Sequence, residues 1–440
     1  VSLSTASWRG RILKSRITEN IAALFGTQVA AYIFPLATVP YLARVLGPQN
    51  WGMVAFAQAL GLYLSMVVDF GFQLSATRRI ARVRDDQEQV VGVVSGVLGA
   101  KGILSLACII VLFLLQRFSQ VFQQDSFILW AGAISGIGQG FSMLWFYQGL
   151  ERIRPAAAVD ATGKAAACVG IFLCVHRPAD GWKVLALQCL CFWSVAAFQM
   201  GMTYRQVAFR WPTAQLTRLS MRDSAAMFLF RSSVSLYTTA NALILGAIAA
   251  PLAVGFYSGA ERVIKALSNL VTPVSQSLFP RISRLVATDA KRAIWLTRVS
   301  LGVMTLCGAL LCGVVFAAAP LIVRILLGHG YENAIPVLRI LSLLLPITAV
   351  STVLGIQWML PLGMDGVYNV IVISAGLLNV GLAVLWASQF QQTGMAWAVV
   401  VTESMVTLAV AAVLAMRNMS PLSNSAALPL EIAERFARAN

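Results

Sequence analysis

The chain has 440 residues, 58% of them hydrophobic and 11% charged, with mean hydropathy +0.77 and a formal net charge of +16. A water-exposed domain carries about a quarter of its residues charged, so this composition excludes an ordinary soluble protein. It also leaves no stretch for a soluble catalytic domain, because apolar runs fill the length and each bilayer crossing consumes about 20 residues.

The chain opens on basic residues (Arg9, Arg11, Lys14, Arg16) that lead into a long apolar run without a small-residue cleavage site. This start is expected to be a retained first span rather than a secretory signal peptide. The apolar pattern predicts twelve spans, at about 19–42, 51–74, 90–115, 127–149, 157–175, 184–203, 225–249, 254–280, 299–319, 340–360, 367–388 and 395–416. In the fourth, Gly132, Gly136 and Gly140 recur every four residues, a small-residue stripe that lets helices approach closely. Trp145-Phe146-Tyr147 at its end is expected to be an interfacial aromatic belt, with sugar stacking as the other reading. Pro35, Pro273 and Pro346 fall within spans and are expected to kink or break them. All seven cysteines lie in apolar runs and the two histidines sit in separate outer loops, so no metal centre, disulfide framework or cofactor is expected.

The basic residues are distributed unevenly. One set of alternate loops, with the two ends of the chain, holds 22 of the 33; the opposite loops hold six, and five lie within spans. This asymmetry is the positive-inside signature and puts both termini in the cytoplasm. It also argues against nucleic acid as the reason for the charge.

The longest basic connection, Tyr204 to Asp223, lies near mid-chain. Sliding the second half back by 203 positions puts Pro251 on Pro48, Gly255 on Gly52, Gly302 on Gly99, Arg281 on Arg78 and Phe228 on Phe25. Six spans per half is an even number, so a duplication would be parallel, with substrate held between the halves near the midplane. The expected fold class is an all-α integral membrane protein of twelve transmembrane helices in two six-helix lobes. Residues 1–203 form the first lobe, 204–224 a basic cytoplasmic linker, 225–416 the second lobe and 417–440 a cytoplasmic tail.

Nine ionisable residues lie inside the predicted spans: Asp69, Lys101, Asp160, Lys164, Arg231, Glu261, Arg262, Lys265 and Glu403. Such groups are rare in lipid and mark substrate or ion pathways, or pair with each other. Asp160 with Lys164, and Glu261 with Lys265, have the i,i+4 spacing of internal ion pairs. Lys101, Arg231 and Arg262 have no partner close in sequence; Asp69 or Glu403 could reach them across helices. An unneutralised arginine facing the bundle suits a phosphorylated ligand, because its planar fork matches phosphate oxygens two at a time. Snorkelling to the interface is the competing reading.

Three segments carry a family resemblance. TVPYLARVLGPQNWG (Thr38–Gly52), WFYQGLERIRP (Trp145–Pro155) and GFYSGAERVIKALSNLVTPVSQSLFPRIS (Gly255–Ser283) resemble, in order and spacing, bacterial polysaccharide transporters of the Wzx type. The likeness runs over roughly residues 15 to 416. It implies a member of the multidrug/oligosaccharidyl-lipid/polysaccharide exporter superfamily in the bacterial inner membrane. Such a flippase moves undecaprenyl-pyrophosphate-linked oligosaccharide (O-antigen, exopolysaccharide or capsule repeat unit) from the cytoplasmic to the periplasmic leaflet by alternating access. The cationic cavity of that family maps here onto Arg44, Lys101, Lys164, Arg231, Arg262 and Lys265. Asp69, Glu261 or Glu403 could carry a coupling ion, and ion pairing explains them equally well. The partners implied are the lipid-linked glycan and membrane lipid, with a polysaccharide polymerase or glycosyltransferases beside them, and no nucleic acid.

No bond is made or broken in such a process, so the expected protein is a transporter and not an enzyme. A drug or cation exporter would favour unpaired carboxylates, and the first span offers only Glu19 at its edge. A lipid II flippase shares the physics but typically has about fourteen spans, more than the pattern here provides. A membrane polymerase or ligase would need a large outer loop. The longest one here, about Pro320 to Arg339, offers only His329 and Glu332 as chemistry.

Overall fold

A computed structural model describes residues 4–118, 123, 125–269 and 272–422, with side chains for all of these except 4–36, 230, 233–234, 236–238 and 272–274. The side chains of the N-terminal basic residues and Glu19, and the whole segment beyond 422, therefore lie outside the description. Every regular element among the described residues is helical. In lipid this follows from hydrogen bonding, since a helix satisfies its backbone groups internally where no water can. Among the described residues, eight helical stretches are long and apolar enough to cross a bilayer. The chain divides into two compact units, Val1–Ser232 and Ser233–Asn440.

In the first unit, α1 (Ser4–Asp69) stays helical through Pro35, so that proline does not break it, and it leaves helical geometry at Gly47 (φ 71, ψ 170). Pro48 follows at once, placed where a helix start needs no N–H. Then come α2 (Phe72–Val83), α3 (Gln87–Phe118), α4 (Ser126–Gly140), α5 (Leu144–Gly149), α6 (Ile153–Cys174) and α7 (Gly181–Tyr204). Asp86 caps the start of α3: its carboxylate accepts the backbone N–H of Gln89 and of Glu88, both at 3.1 Å, and the Gln89 side-chain amide at 2.7 Å. These bonds, those from Gln89 first, hold its pKa below the usual carboxylate value.

The glycine stripe of α4 packs against α1 as its spacing predicts. A Cβ on Gly136 would overlap the backbone of Gly61, one on Gly132 the backbone of Ala57, and one on Gly140 would press into Val68. The chain enters α8 (Ala214–Thr238) by way of Pro212, which lies against Gly99 of α3, while Leu216 and Ser220 lie against Gly96. Residues 214–224 of the basic segment are thus helical and packed.

The aromatic triplet departs from expectation. Trp145, Phe146 and Tyr147 are each no more than 1% exposed, in a core with Phe72, Ile80, Val90 and Met143. An interface is unnecessary because the Tyr147 hydroxyl is satisfied inside: it accepts from Thr203 Oγ1 at 3.2 Å and donates to the Gln199 carbonyl at 3.4 Å. The triplet therefore faces neither lipid headgroups nor sugar.

The second unit contains α9 (Asn241–Ile248), α10 (Pro251–Asn269), α11 (Thr272–Thr288), α12 (Ala290–Leu326), α13 (Ala334–Ser342) and α14 (Leu344–Ser351). A π-helix (Thr352–Met359) and α15 (Asp365–Met416) complete it. Pro346 stands within the first turn of α14, after the break at Leu343, as expected, whereas Pro273 adjoins residues 270–271, which lie outside the description. Straight, the 52 residues of α15 would measure about 78 Å, more than twice the hydrocarbon thickness. Instead α15 folds back at Gln391 (φ 50, ψ −125), and Asn379 Nδ2 donates to Thr402 Oγ1 at 3.3 Å across the hairpin.

The close backbone contact at Gly136 gives a direct check. Gly136→Leu is expected to force α4 off α1 and to lower stability by about 3 kcal/mol or more, the upper end of overpacking costs. Thermal unfolding of the detergent-purified protein reads it, and an unchanged midpoint would show that the two helices are not in contact there.

Candidate functional site

Three of the five intramembrane cations are ion-paired: Lys164 and Lys265 with the acids four residues away that spacing pointed to, and Arg231 across helices with Asp69. Asp69 is the last residue of α1, and Arg231 lies in α8. Arg231 Nη1 donates to Asp69 Oδ2 at 3.2 Å, joining residues 162 positions apart. In α6, Lys164 Nζ donates to Asp160 Oδ2 at 2.7 Å, one helical turn away. In α10, Lys265 Nζ meets Glu261 Oε1 at 3.0 Å, and the buried Tyr257 hydroxyl donates to that same oxygen at 3.3 Å. Arg262, the next residue, is half-buried and within reach of the Glu261 charge.

The three pairs share one geometry. The side chains of Arg231, Lys164 and Lys265 are 38%, 29% and 46% exposed, against 19%, 12% and 14% for Asp69, Asp160 and Glu261. In each the acid is recessed and the base protrudes. A neutral pair of this kind still presents a positive surface, and its base keeps donors for a second anion. Arg231 commits one guanidinium nitrogen to Asp69 out of five N–H donors.

The remaining candidates behave differently. Lys101, in mid-α3, is wholly buried, and its ammonium donates to the carbonyls of Gly140 at 2.7 Å and Ser142 at 3.2 Å. These oxygens belong to the end of α4 and the turn after it, where carbonyls lack helical partners and the helix dipole is negative. The charge of Asp69 also acts on this ammonium. Lys101 is thus fastened to a helix end rather than presented to a ligand as its position in the span suggested. Arg44 is exposed on α1, just before Gly47. Glu403, on the second limb of α15, meets the Ser351 hydroxyl and lies near Tyr368; no cation stands at ion-pair distance among the described residues.

Sequence reasoning missed Tyr257, although its spacing of four from Glu261 was a usable signal, and missed Ser351, for which no local signal exists. No group of three His, Cys, Asp or Glu among the described residues could hold a metal ion, and the seven cysteines are unbridged.

Lys101 allows a sharp distinction between anchoring and ligand binding. Lys101→Met leaves two carbonyls unmet and is expected to cost about 2 kcal/mol, the range for hydrogen bonds to a charged group. Thermal unfolding in detergent reads this; a variant of unchanged stability that fails only in transport would return Lys101 to the ligand surface.

Comparison with known proteins places this geometry in a family. The model of the family described as polysaccharide biosynthesis protein matches residues 17–286, more than half of the chain. A relative from Escherichia coli (strain K12) named "Putative O-antigen transporter" is 30% identical over 396 residues, covering 90% of this chain and 95% of its own. One of the same name from Shigella dysenteriae is 26% identical over 402 residues, covering 89% and 98%. Among solved structures, an inward-facing multidrug resistance MATE family transporter of the MOP superfamily superposes with TM-score 0.66 at 14% identity, covering 92% of this chain and 99% of that one. The lipid II flippase MurJ, in an inward closed conformation, also gives 0.66 at 12% identity, covering 96% and 91%. These two share the fold. The family match and the 30% relative together carry the assignment: this chain is a member of the polysaccharide biosynthesis protein family.

Proposed function

We propose that the protein is a flippase for undecaprenyl-pyrophosphate-linked oligosaccharide, carrying the repeat unit from the cytoplasmic to the periplasmic leaflet of the bacterial inner membrane. The observation that carries this reading is the common geometry of the three pairs, each with its base outermost and its acid behind. A diphosphate meeting Arg231 or Lys265 finds exposed donors already oriented by their acids, while the recessed carboxylate competes for the same cation and keeps the hold reversible. Arg262, Lys164 and Arg44 add to the positive surface. Recessed acids also disfavour a cationic drug as ligand, since it would meet the bases first. No bond changes, so the cycle is transport by alternating access and not catalysis.

The proposed frame is twelve crossings in two lobes, 1–203 and 225–416, joined by the basic cytoplasmic segment 204–224, with both termini cytoplasmic. Support for a duplication comes from Pro48 and Pro251, 203 positions apart, each of which opens a helical stretch after a break. Among the three acidic candidates for ion coupling, Asp69 and Glu261 are engaged with cations, so Glu403 is the group proposed to exchange a proton during the cycle.

Deleting the gene is expected to trap lipid-linked oligosaccharide in the inner leaflet and to abolish surface polysaccharide. Complementation with Arg231→Ala should restore less than about a tenth of wild-type export, the loss expected when a charge-assisted contact worth 1.4 kcal/mol or more is removed. Asp69→Asn keeps the guanidinium and should retain most export. A pair that serves only structure would make both variants equally defective, and that result would overturn the reading.

A further inference from the structure

The second unit contains a cavity of about 500 Å³ with no charged residue in its lining, enclosed by α10, α11, α12, α14 and the π-helix. Its depth is set by Gly308, which lies midway along α12 (Ala290–Leu326), so the cavity opens at the middle of a span. Its described lining includes five neutral hydrogen-bonding side chains, Ser268, Asn269, Ser275, Gln276 and Thr352. None of these five makes a side-chain hydrogen bond to another described residue. Apolar side chains share the lining, among them Leu311, Leu345, Ile356 and the ring of Phe279.

Polar groups without protein partners are tolerated at membrane depth where they line a wet cavity. Five of them, with hydrocarbon side chains and an aromatic ring in the same lining, suit a ligand that offers both hydroxyls and apolar faces. Among the described residues the lining offers no cation to a phosphate. Helix geometry is altered beside the space, where the π-helix supplies Thr352 and Ile356. Its widened turn is seen in the Leu360 N–H, which donates to the Gly355 carbonyl five residues back at 3.2 Å. Such interruptions concentrate at functional sites.

We infer that this cavity is a saccharide subsite, taking one or more neutral sugar rings of the transported glycan. Ring hydroxyls meet Asn269, Gln276, Ser268, Ser275 and Thr352, while the C–H face of a sugar lies on Phe279, whose ring face is electron-rich. The inference rests on the flippase reading and deepens it. The cations hold the diphosphate, which every substrate of this class shares, and the uncharged cavity reads the sugar, which differs between substrates. The volume falls within the range of small-molecule sites and accommodates a short oligosaccharide.

Binding to the full-length protein in lipid nanodiscs tests the subsite with two probes: lipid-linked repeat unit extracted from the producing cell's membranes, and bare undecaprenyl diphosphate. Replacing both amides (Asn269→Leu with Gln276→Leu) is expected to weaken the glycosylated probe by about tenfold or more and to leave the bare probe unchanged. Unchanged affinity for the glycosylated probe overturns the subsite, while retained binding of the bare probe, lost in Arg231→Ala, keeps the flippase reading standing. Failure of wild-type protein to bind either probe overturns both. Should the double variant not fold, Gln276→Cys labelled with a maleimide gives a second measurement by mass spectrometry at that site. The glycosylated probe should protect it and the bare probe should not; equal labelling with either overturns the subsite.

Discussion

A carboxylate set behind each protruding cation is the interaction on which the rest of this protein depends. A lone charge at the centre of a spanning helix costs roughly 2.5–3.5 kcal/mol on insertion scales, and several would oppose insertion of the whole bundle. Neutralising Arg231 with Asp69, Lys164 with Asp160 and Lys265 with Glu261 removes much of that cost. Pairing alone would also silence the cations. Because the acids are the more deeply placed partners, the base remains the more exposed member of each pair.

Much of the architecture was legible in the sequence because it is written in local periodicities. The apolar runs, the glycine spacing in α4 and the two i,i+4 ion pairs each need only a few neighbouring residues to be read. Asp69–Arg231 was not legible, since its partners are brought together by packing over 162 positions. Lys101 misled for a related reason. Sequence shows a cation in a span, but the acceptors that hold it are backbone carbonyls of Gly140 and Ser142, which have no signature in residue type. Trp145-Phe146-Tyr147 misled through composition. Amphipathic rings favour interfaces in general, yet Thr203 and Gln199 satisfy Tyr147 inside the core.

The uncharged cavity was invisible for a different reason. Its polar lining comes from residues that are unremarked singly, scattered over α10, α11 and the π-helix, and none carries a charge to mark it in an apolar run. The π-helix between Thr352 and Met359 contributes Thr352 and Ile356 to the space.

The widened turn at Thr352–Met359 has an evolutionary consequence. A π turn accommodates one residue more than an α turn, and each residue of an α-helix advances the direction of its side chains by about 100°. Loss of a single position there would rotate the residues beyond it, changing the side chains that this segment turns to the cavity while those of α10, α11 and α12 stay in place. A one-codon insertion or deletion at this point would therefore reshape one side of the space in a single step, without the series of point substitutions that repacking a regular helix would demand.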